Sequence, residues 1–388
     1  MPPTSPTPGR CSRNSRDVSC PARVFALEQS SGREARAGSA TLGVSGMAVP
    51  RSRWAADRCM AKGVDHEGNT DPVIRWFGGS PDHDFVRPRS RPDEVLVRIK
   101  ASAVNPLDGI VRMGHFPIAK EPPLILGEEA AGIVDRNGAG FKAGERVIVY
   151  GGGLGVFRDG TWAEAVAVPG SCLRRMPEGM SFEEAAALAN VGVTAYGALR
   201  TAALKAGETL VVLGATGGVG SAGVQIGKAI GARVIAVVST AGKAANLQSL
   251  GADHVVALSG GPLAEQVRGL TKGKGSDVVL DSVGGDVTGQ ALSSLASFGR
   301  LVHLGYSAGT TLRIDSLDLI AKPSTIIGFN ILLVPSERSA RDLDEVVDLS
   351  ARGRYRAAVG RTFPASEAAE ATRYLDERSA VGKVVLTF

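Results

Sequence analysis

The C-terminal half of the chain alternates between short apolar runs and amphipathic segments. Residues 209–213 read TLVVL, a continuous apolar run with the β-branched character of a parallel strand that is buried on both faces. A glycine-dense turn follows, and apolar residues then recur at the spacing of a helix: Val219, Ala222, Ile226, Ala229 and Ile230. The pattern therefore predicts a strand, a tight turn and a helix in direct succession.

The same alternation continues through residue 329. Further strands are predicted at Arg233–Thr240, His254–Leu258, Ser276–Ser282, Arg300–Gly305 and Thr325–Phe329. Helices are predicted between them, in a stretch that runs through Leu250 and near 262–271 and 286–297. Strands that alternate with helices form βαβ units, and these units predict a doubly wound parallel sheet of the Rossmann type.

The turn after residue 213 has the composition of a dinucleotide-binding fingerprint. Ala215, Gly217 and Gly220 stand as A-x-G-x-x-G between the predicted strand and helix. Gly217 would let the backbone approach a pyrophosphate, and Gly220 would let the helix pack closely on the strand. The helix N-terminus offers N–H groups and a positive dipole end to the phosphates. The predicted cofactor-binding residues of the turn are Gly214, Ala215, Gly217, Gly218, Val219 and Gly220.

The end of the second predicted strand selects between the two nicotinamide cofactors. NAD-specific sites place Asp or Glu about 20 residues after the turn, where the carboxylate binds the ribose 2′-hydroxyl. Here Ser239 stands at that position, Lys243 follows, and 236–246 contains no carboxylate. A hydroxyl and an ammonium suit a 2′-phosphate that a carboxylate would repel, so NADPH is the predicted cofactor. The alternative is that Lys243 merely begins a solvated helix.

Segments on both sides of the fingerprint resemble those of one known family. They follow the family's order, at 94–114, 123–134, 140–151, 160–169, 181–199, 281–285 and 382–386. The stretch from Glu94 to the C-terminus is similar to the zinc-independent medium-chain dehydrogenases/reductases, in their quinone oxidoreductase (zeta-crystallin-like) branch.

This resemblance implies an α/β protein built from two domains. A GroES-like β-barrel catalytic domain would contain an inserted Rossmann domain with a doubly wound parallel sheet. The implied boundaries are 71–190 for the first part of the GroES-like domain, 191–330 for the Rossmann NADP-binding domain and 331–388 for the C-terminal part of the GroES-like domain.

The resemblance also implies where the substrate and the cofactor lie. It places Asn105 and Thr194 beside the nicotinamide, Gly305 and Ser307 around it, and Lys383 near the cofactor phosphates. Two alternatives remain open from the residues alone. Asn105 is explained equally by a turn before a proline, and Thr194 by a satisfied hydroxyl at a helix start.

Two tyrosines that are common in the family are replaced in this chain. Ile110 stands where a tyrosine lines the quinone or enone site, and Leu258 stands where another packs near the adenosine phosphate. Phe116, His115 and Glu128 are the candidates to line the pocket instead. For Glu128 we expect structural hydrogen bonds or a salt bridge, and for His115 a surface loop is the alternative to a proton donor. The sequence identifies no catalytic proton donor.

The residues at the positions of the zinc ligands in related enzymes argue against a catalytic zinc ion. Related zinc enzymes carry a Cys-His pair after the strand at 94, whereas this chain has Asn105 and a proline there. Glu128 takes the place of the next ligand, 190–196 contains no cysteine, and Cys172 is the only cysteine after residue 59. Catalytic Zn²⁺ needs about three protein ligands, so no metal is predicted.

Without a Lewis acid, the cofactor's own reducing power must drive the reaction. We predict an NADPH-dependent reductase of quinones or of activated alkenes and carbonyls, by hydride or single-electron transfer. A 2-enoyl thioester reductase is one alternative, and a catalytically idle NADPH-binding sensor or structural protein is another. The expected partner is a small-molecule electrophile, and a homodimer is implied by the family alone.

Charge and hydropathy exclude other classes of partner. The net charge is +5, and residues 1–60 account for it with nine arginines against four acidic residues. The remaining 35 basic and 35 acidic residues balance, so no nucleic-acid partner is predicted. No uncharged apolar run is long enough for a membrane span, so no membrane partner is predicted, and we expect a cytoplasmic protein.

Residues 1–70 differ in composition from the rest. They are rich in Pro, Ser, Gly, Ala and Arg, and such a segment is expected to be disordered because it cannot bury enough apolar surface. Three interpretations remain open: a leader for organelle import, a native tail, or sequence upstream of a start at Met47 or Met60. The composition slightly favours the last.

Overall fold

The protein is described by a computed structural model. The structure describes residues 74–75, 84–85, 91, 93–121, 123–243, 246–377 and 380–388. The expected disordered extension at 1–70, with its three interpretations, lies outside the described residues.

Strands and helices follow one another in three stretches of the chain. The first contains β1 (Ile74–Arg75), β2 (Asp84–Phe85), β3 (Glu94–Val104), α1 (Pro106–Arg112), β4 (Glu129–Val134), β5 (Arg146–Tyr150), β6 (Ala165–Pro169), β7 (Leu173–Arg175), α2 (Phe182–Ala186) and α3 (Ala189–Thr201). The second contains β8 (Thr209–Leu213), α4 (Gly218–Ile230), β9 (Arg233–Val238), β10 (His254–Ala257), α5 (Leu263–Leu270), β11 (Ser276–Asp281), α6 (Asp286–Ser293), β12 (Leu295–His303), α7 (Ser316–Ile320) and β13 (Thr325–Gly328). The third contains α8 (Ser336–Ala351), β14 (Val359–Pro364), α9 (Ala368–Asp376) and β15 (Lys383–Thr387).

Strand β3 organises the first sheet. It pairs antiparallel with β4 and with β15, so that Ser102 lies opposite Ala130 on one side and Leu386 on the other. Its first half also pairs with β6, and β4 continues the sheet through β5 to β7. Leu96 and Val97 are both buried, in different core clusters on opposite faces of the strand. The C-terminal strand is thus built into the sheet of the first stretch, which confirms the GroES-like domain.

A second sheet contains only parallel strands. Within the described residues its order is β10-β9-β8-β11-β12-β13, with β8 in the interior. Val211 of β8 lies opposite Ile235 and Val279 and is fully buried, as its apolar run predicted. The order reverses between β8 and β11, which confirms the doubly wound Rossmann sheet. Ligands of such sheets bind at this reversal, outside the carboxyl ends of the strands.

Two segments differ from the sequence prediction. Instead of a helix through Leu250, residues 241–243 form a single 3₁₀ turn, and Asn246 has a φ of 69°, which a continuous α-helix cannot contain. The helix predicted over 286–297 ends at Ser293. Its last apolar residues belong to β12 instead, where Leu295 pairs with Ser276 of β11.

Helix α8 packs on α3 before the chain returns to the first sheet. Arg200 of α3 donates two hydrogen bonds to the buried Asp342 of α8, at 2.9 and 2.7 Å. Leu343 and Val346 of the same helix are buried. The first sheet is rejoined at Val359, in β14. In the described part of the chain, every helix is too short or too polar to cross a bilayer.

Candidate active site

The glycine turn lies at the reversal of the parallel sheet, between β8 and α4. A Cβ atom on Gly220 would lie 2.1 Å from the Gly214 carbonyl oxygen, so only glycine lets α4 pack this closely on the strand. A Cβ atom on Gly217 would meet only that same oxygen, at 3.4 Å. The protein therefore leaves open space in front of Gly217, at the N-terminus of α4. The open space in front of Gly217 and the backbone N–H groups at the helix N-terminus form a phosphate cradle that fits a pyrophosphate group.

Ser239 and Lys243 lie where the sequence places them, just beyond the carboxyl end of β9. Both side chains are exposed. The backbone carbonyl of Ser239 accepts a hydrogen bond from the Ser259 amide at 3.3 Å, which ties this strand end to the segment after β10. Lys243 forms no ion pair with any residue that the structure describes. The hydroxyl and the ammonium are both free to bind a phosphate.

A cleft of about 720 Å³ opens beside the end of β12. Its lining includes Phe116, Thr194 and Gly305, three residues that the sequence assigned to the substrate and nicotinamide region. Ile110 and Ser307 do not line this cleft, and Ser307 donates a hydrogen bond to the Val283 carbonyl instead. Their assignments to the site remain predictions.

A buried polar cluster lies behind Thr194. The Thr194 hydroxyl donates to the Asn190 side chain at 3.5 Å, and the backbone N–H of Asn190 donates to Glu129 at 2.6 Å. The side-chain amide of Asn105 donates to the other Glu129 oxygen at 3.3 Å. The ammonium of Lys383 lies 3.0 Å from that oxygen and also donates to the Asn105 carbonyl oxygen. Both the nitrogen and the oxygen of the Asn105 side-chain amide are thus hydrogen-bonded, so Asn105 does more than form a turn before a proline.

Lys383 lies between the phosphate turn and the polar cluster. The predicted place was beside the cofactor phosphates, yet its ammonium is buried in the polar cluster with Asn105 and Glu129. Only the aliphatic stem approaches the phosphate turn, since a Cβ atom on Gly218 would lie 3.1 Å from the Lys383 Cδ atom. A direct contact of this ammonium with the cofactor stays a prediction.

Two carboxyl groups in the cluster have raised pKa values. Burial, together with the nearby Glu129 charge, raises the pKa of Asp108 to about 7, although two backbone N–H groups and Lys383 oppose the shift. Burial is also the main cause that raises the pKa of Glu128 well above its usual range, with further contributions from Asp108 and Glu129. Among the described residues, the structural partners expected for Glu128 are absent at its Oε1 atom, which is buried without a hydrogen-bond partner.

The cluster does not suit a catalytic zinc ion. The Asn105 amide is already engaged with Lys383 and Glu129, and the ammonium places a positive charge among the carboxyl groups. Among the described residues, no group of three or more His, Cys, Asp or Glu side chains is arranged to hold a metal. The residues present therefore do not fit the ligand set of a zinc dehydrogenase.

Several residues of the site were missed by the sequence reasoning. Asp108 accepts hydrogen bonds from the amides of Asn105 at 2.7 Å and Gly127 at 2.9 Å. His303 lines the cleft, and its Nδ1 atom lies 2.9 Å from the buried Asp281 carboxylate. A signal for Asp108 was available, because its spacing from Asn105 is that of a capping box. No local signal pairs His303 with Asp281, since the two meet only across neighbouring strands.

Comparison with known proteins agrees with this geometry. Two family models match the chain: the alcohol dehydrogenase GroES-like domain over residues 91–178 and the zinc-binding dehydrogenase over residues 218–351. A quinone oxidoreductase of Pseudomonas aeruginosa is 34% identical over 84% of this chain and 99% of its own length. A 2-haloacrylate reductase of a Burkholderia species is 32% identical over 76% of this chain and 91% of its own length.

Other relatives are much longer, and the chain spans only 9–16% of several polyketide synthases and a hybrid synthetase. Among solved structures, a mycobacterial protein complexed with NADPH superposes with a TM-score of 0.69. It is 30% identical and covers 79% of this chain and 95% of its own. These identities and coverages, with the glycine turn and both sheets in place, show more than a shared architecture. The chain is an oxidoreductase of the medium-chain dehydrogenase/reductase family, in the quinone oxidoreductase-like branch that uses nicotinamide cofactors.

Proposed function

We propose that the protein is an NADPH-dependent reductase of quinones or of activated alkenes and carbonyls. The observation that carries the proposal is the cleft, which joins the end of the parallel sheet to the GroES-like domain. Gly305 lies on the Rossmann side, and Leu107 and Phe116 supply an apolar wall on the other side. A flat, uncharged electrophile fits such a wall, which also excludes water from the reacting atoms.

Bound NADPH would supply a hydride to the acceptor. The chain's own residues position the reactants and set the polarity around them. Asn105 has a fixed orientation because its side-chain amide donates to the buried Glu129 carboxylate and its side-chain oxygen accepts from Lys383. The Thr194 hydroxyl donates to the Asn190 side chain one helical turn before it. We propose that these two side chains face the nicotinamide and keep its ring in place.

The choice of NADPH over NADH is part of the proposal. Ser239 and Lys243 offer a hydroxyl and an ammonium that pairs with no described residue at the end of β9, where an NAD-specific site has a carboxylate. The mycobacterial relative complexed with NADPH supports the same choice. Leu258 supplies no hydroxyl at this point, so we expect a moderate rather than an absolute preference.

Catalysis without zinc is also proposed. Support comes from the cluster around Asn105, whose amide is engaged and whose only described cation is the Lys383 ammonium. An ammonium at this position neutralises Glu129 and leaves a divalent cation without a place among the remaining groups.

A second candidate function is the reduction of 2-enoyl thioesters. The similarity to short portions of polyketide synthases described as highly reducing favours it. Ile110 weighs against it, because this side chain provides no hydroxyl for proton donation. An idle NADPH-binding protein remains as the alternative of another class.

The test is steady-state oxidation of NADPH with a quinone, an enal and an enoyl thioester as acceptors. We expect acceptor-dependent turnover with the quinone or the enal, and weaker turnover with the thioester. Gly217→Val, which blocks the phosphate cradle, serves as the background control. Oxidation by the wild type that never exceeds this background would overturn the proposal and favour an idle cofactor-binding protein.

We also propose that the protein forms a homodimer. Strand β13 ends the order of the parallel sheet within the described residues, so its outer edge is available for pairing. The preceding helix exposes Leu317 and Ile320, which are 66% and 74% exposed. A second copy that pairs along this edge would cover both side chains.

A further inference from the structure

Three buried carboxyl groups lie together beside the cleft. Asp108, Glu128 and Glu129 are 1%, 7% and 0% exposed. Among the described residues, Lys383 is the one cation that acts on them, and its ammonium lies 3.0 Å from Glu129. One ammonium neutralises one carboxylate. At least one of the remaining two carboxyl groups is therefore expected to hold a proton.

The hydrogen bonds decide which group holds it. Glu129 accepts hydrogen bonds from Asn105 and Asn190 and forms an ion pair with the Lys383 ammonium. Asp108 accepts two backbone N–H groups, which favour its charged form. Glu128 receives no such compensation, because its Oε1 atom is buried without a hydrogen-bond partner. Of the three carboxyl groups, Glu128 gives up the least hydrogen bonding when it is protonated and neutral.

Charged and titratable groups face Glu128 from four elements. Asp108 of α1 and Glu129 of β4 raise its pKa, Lys383 of β15 lowers it, and burial exceeds all three effects. Tyr150 of β5 also faces it, and burial with the nearby Glu128 and Glu129 charges raises the pKa of that phenol. Burial and the two neighbouring carboxyl groups thus favour the neutral, protonated form of Glu128.

Two residues of the cleft wall connect the cleft to the cluster that holds this acid. Leu107, which lines the cleft, immediately precedes Asp108 in α1. Thr194, which also lines it, donates to the Asn190 side chain, and the Asn190 backbone N–H donates to Glu129, the chain neighbour of Glu128. Both walls next to the proposed nicotinamide position therefore rest on the cluster that contains the acid.

A hydride alone does not complete the reduction of an activated alkene, because the product also needs a proton. We propose that the Glu128 side chain is the proton donor for alkene reduction, an inference that rests on the proposed function. The hydride adds to the β-carbon and the carbon–carbon π bond breaks. The Glu128 proton then forms the α-carbon–hydrogen bond, leaving NADP⁺, the saturated product and the Glu128 carboxylate. The carboxylate regains a proton from water after the product leaves.

The experiment compares the full-length wild type with Glu128→Gln, which keeps the shape of the side chain but has no acidic proton. Glu164→Gln, which removes an exposed carboxylate from the same domain, is the matched control. We expect Glu128→Gln to lower kcat for an enal by about 10²–10⁴-fold, the usual contribution of a general acid, with little change in NADPH affinity. A quinone should be affected less, because water readily protonates the oxygen of its reduced form.

The pH profile separates proton donation from a structural role. Wild-type kcat for the enal should fall as pH rises through the raised pKa of Glu128, whereas the residual rate of Glu128→Gln should lack this descending limb. Full enal activity in Glu128→Gln would overturn the inference while leaving the proposed reductase function intact. A wild type that reduces neither acceptor would overturn the proposed function and the donor role together.

Infrared difference spectroscopy gives a readout that does not depend on turnover. At a pH of about 8 to 9, above the Asp108 pKa of about 7, the wild type should show the carbonyl stretch of a protonated, buried carboxylic acid, and Glu128→Gln should lose that band. Its absence from the wild type would overturn the assignment even if the enzyme reduces alkenes.

Discussion

Gly217 offers the sharpest separation between cofactor binding and folding. Its backbone has a φ of −77° and a ψ of 171°, an extended conformation that any residue adopts. A Cβ atom there would meet only the Gly214 oxygen, at the ordinary contact distance of 3.4 Å. Gly217→Val should therefore fold normally and place its methyl groups in the space that the pyrophosphate needs.

The size of both effects follows from this geometry. Replacing glycine makes the unfolded chain less flexible, which stabilises the folded protein by about 0.4–1 kcal/mol, and the loss of a glycine N-cap destabilises it by a similar amount. The free energy of unfolding should therefore change by less than about 1 kcal/mol. Displacing the pyrophosphate from about two backbone N–H groups removes about 3–6 kcal/mol of binding energy. The Kd for NADPH should rise by about two to four decades.

Two further glycines give matched controls. Gly269→Val places its Cβ atom in open space on α5, away from the turn, and should leave NADPH affinity unchanged. Gly220→Val forces a Cβ atom to within 2.1 Å of a backbone oxygen and should lower the melting temperature markedly. Fluorescence titration with NADPH and thermal melts of all three variants complete the assay. Normal NADPH affinity in Gly217→Val would refute the placement of the phosphates.

Four other predictions can be checked directly. Ser239→Asp should reverse the preference for NADPH over NADH. Lys243→Ala should weaken NADPH binding by about one to two decades, because a charged hydrogen bond contributes about 1.5–3 kcal/mol. Equal affinities of the wild type for both cofactors would contradict this prediction. Elemental analysis should find no stoichiometric zinc, and chelators should leave turnover unchanged. The free energy of unfolding of the wild type should fall as pH rises from about 4 through the Asp108 pKa of about 7, because folded Asp108 and Glu128 keep protons that the unfolded chain releases. Thermal melts across this pH range should show a smaller fall for Glu128→Gln. Light scattering should show a dimer for the wild type and a monomer for Ile320→Lys, whereas a monomeric wild type would remove the proposed interface.

The Rossmann sheet could be predicted because its requirements are local. A parallel strand covered by helices on both faces needs a continuous apolar run, and Val211 lies in such a run at the centre of the sheet. The turn needs glycine where backbone atoms approach closely, and Gly220 meets that need at 2.1 Å. The apolar run and the glycine both depend on residues that are neighbours in the chain, so the sequence alone predicts them.

The boundaries of elements were less predictable, because partners distant in the chain compete for the same residues. The segment after Ser293 is apolar enough to continue a helix, yet Leu295 pairs with Ser276 and begins β12. The predicted helix through Leu250 failed because Asn246 adopts a left-handed conformation, which asparagine tolerates better than most residues. Neither outcome has a signal in the hydrophobic pattern.

The sequence by itself determined the architecture, the phosphate turn and the residues at the end of β9, since each depends on residue type at fixed local spacing. Only the tertiary structure brought the Lys383 ammonium of the last strand to Asn105 and Glu129, which no local pattern in the sequence predicts. Only the fold buried Glu128 beside Asp108 of α1, with its Oε1 atom unpartnered among the residues that the structure describes. The pKa of a carboxyl group depends on burial and on charges within a few ångströms, and these are properties of the packed chain rather than of its order.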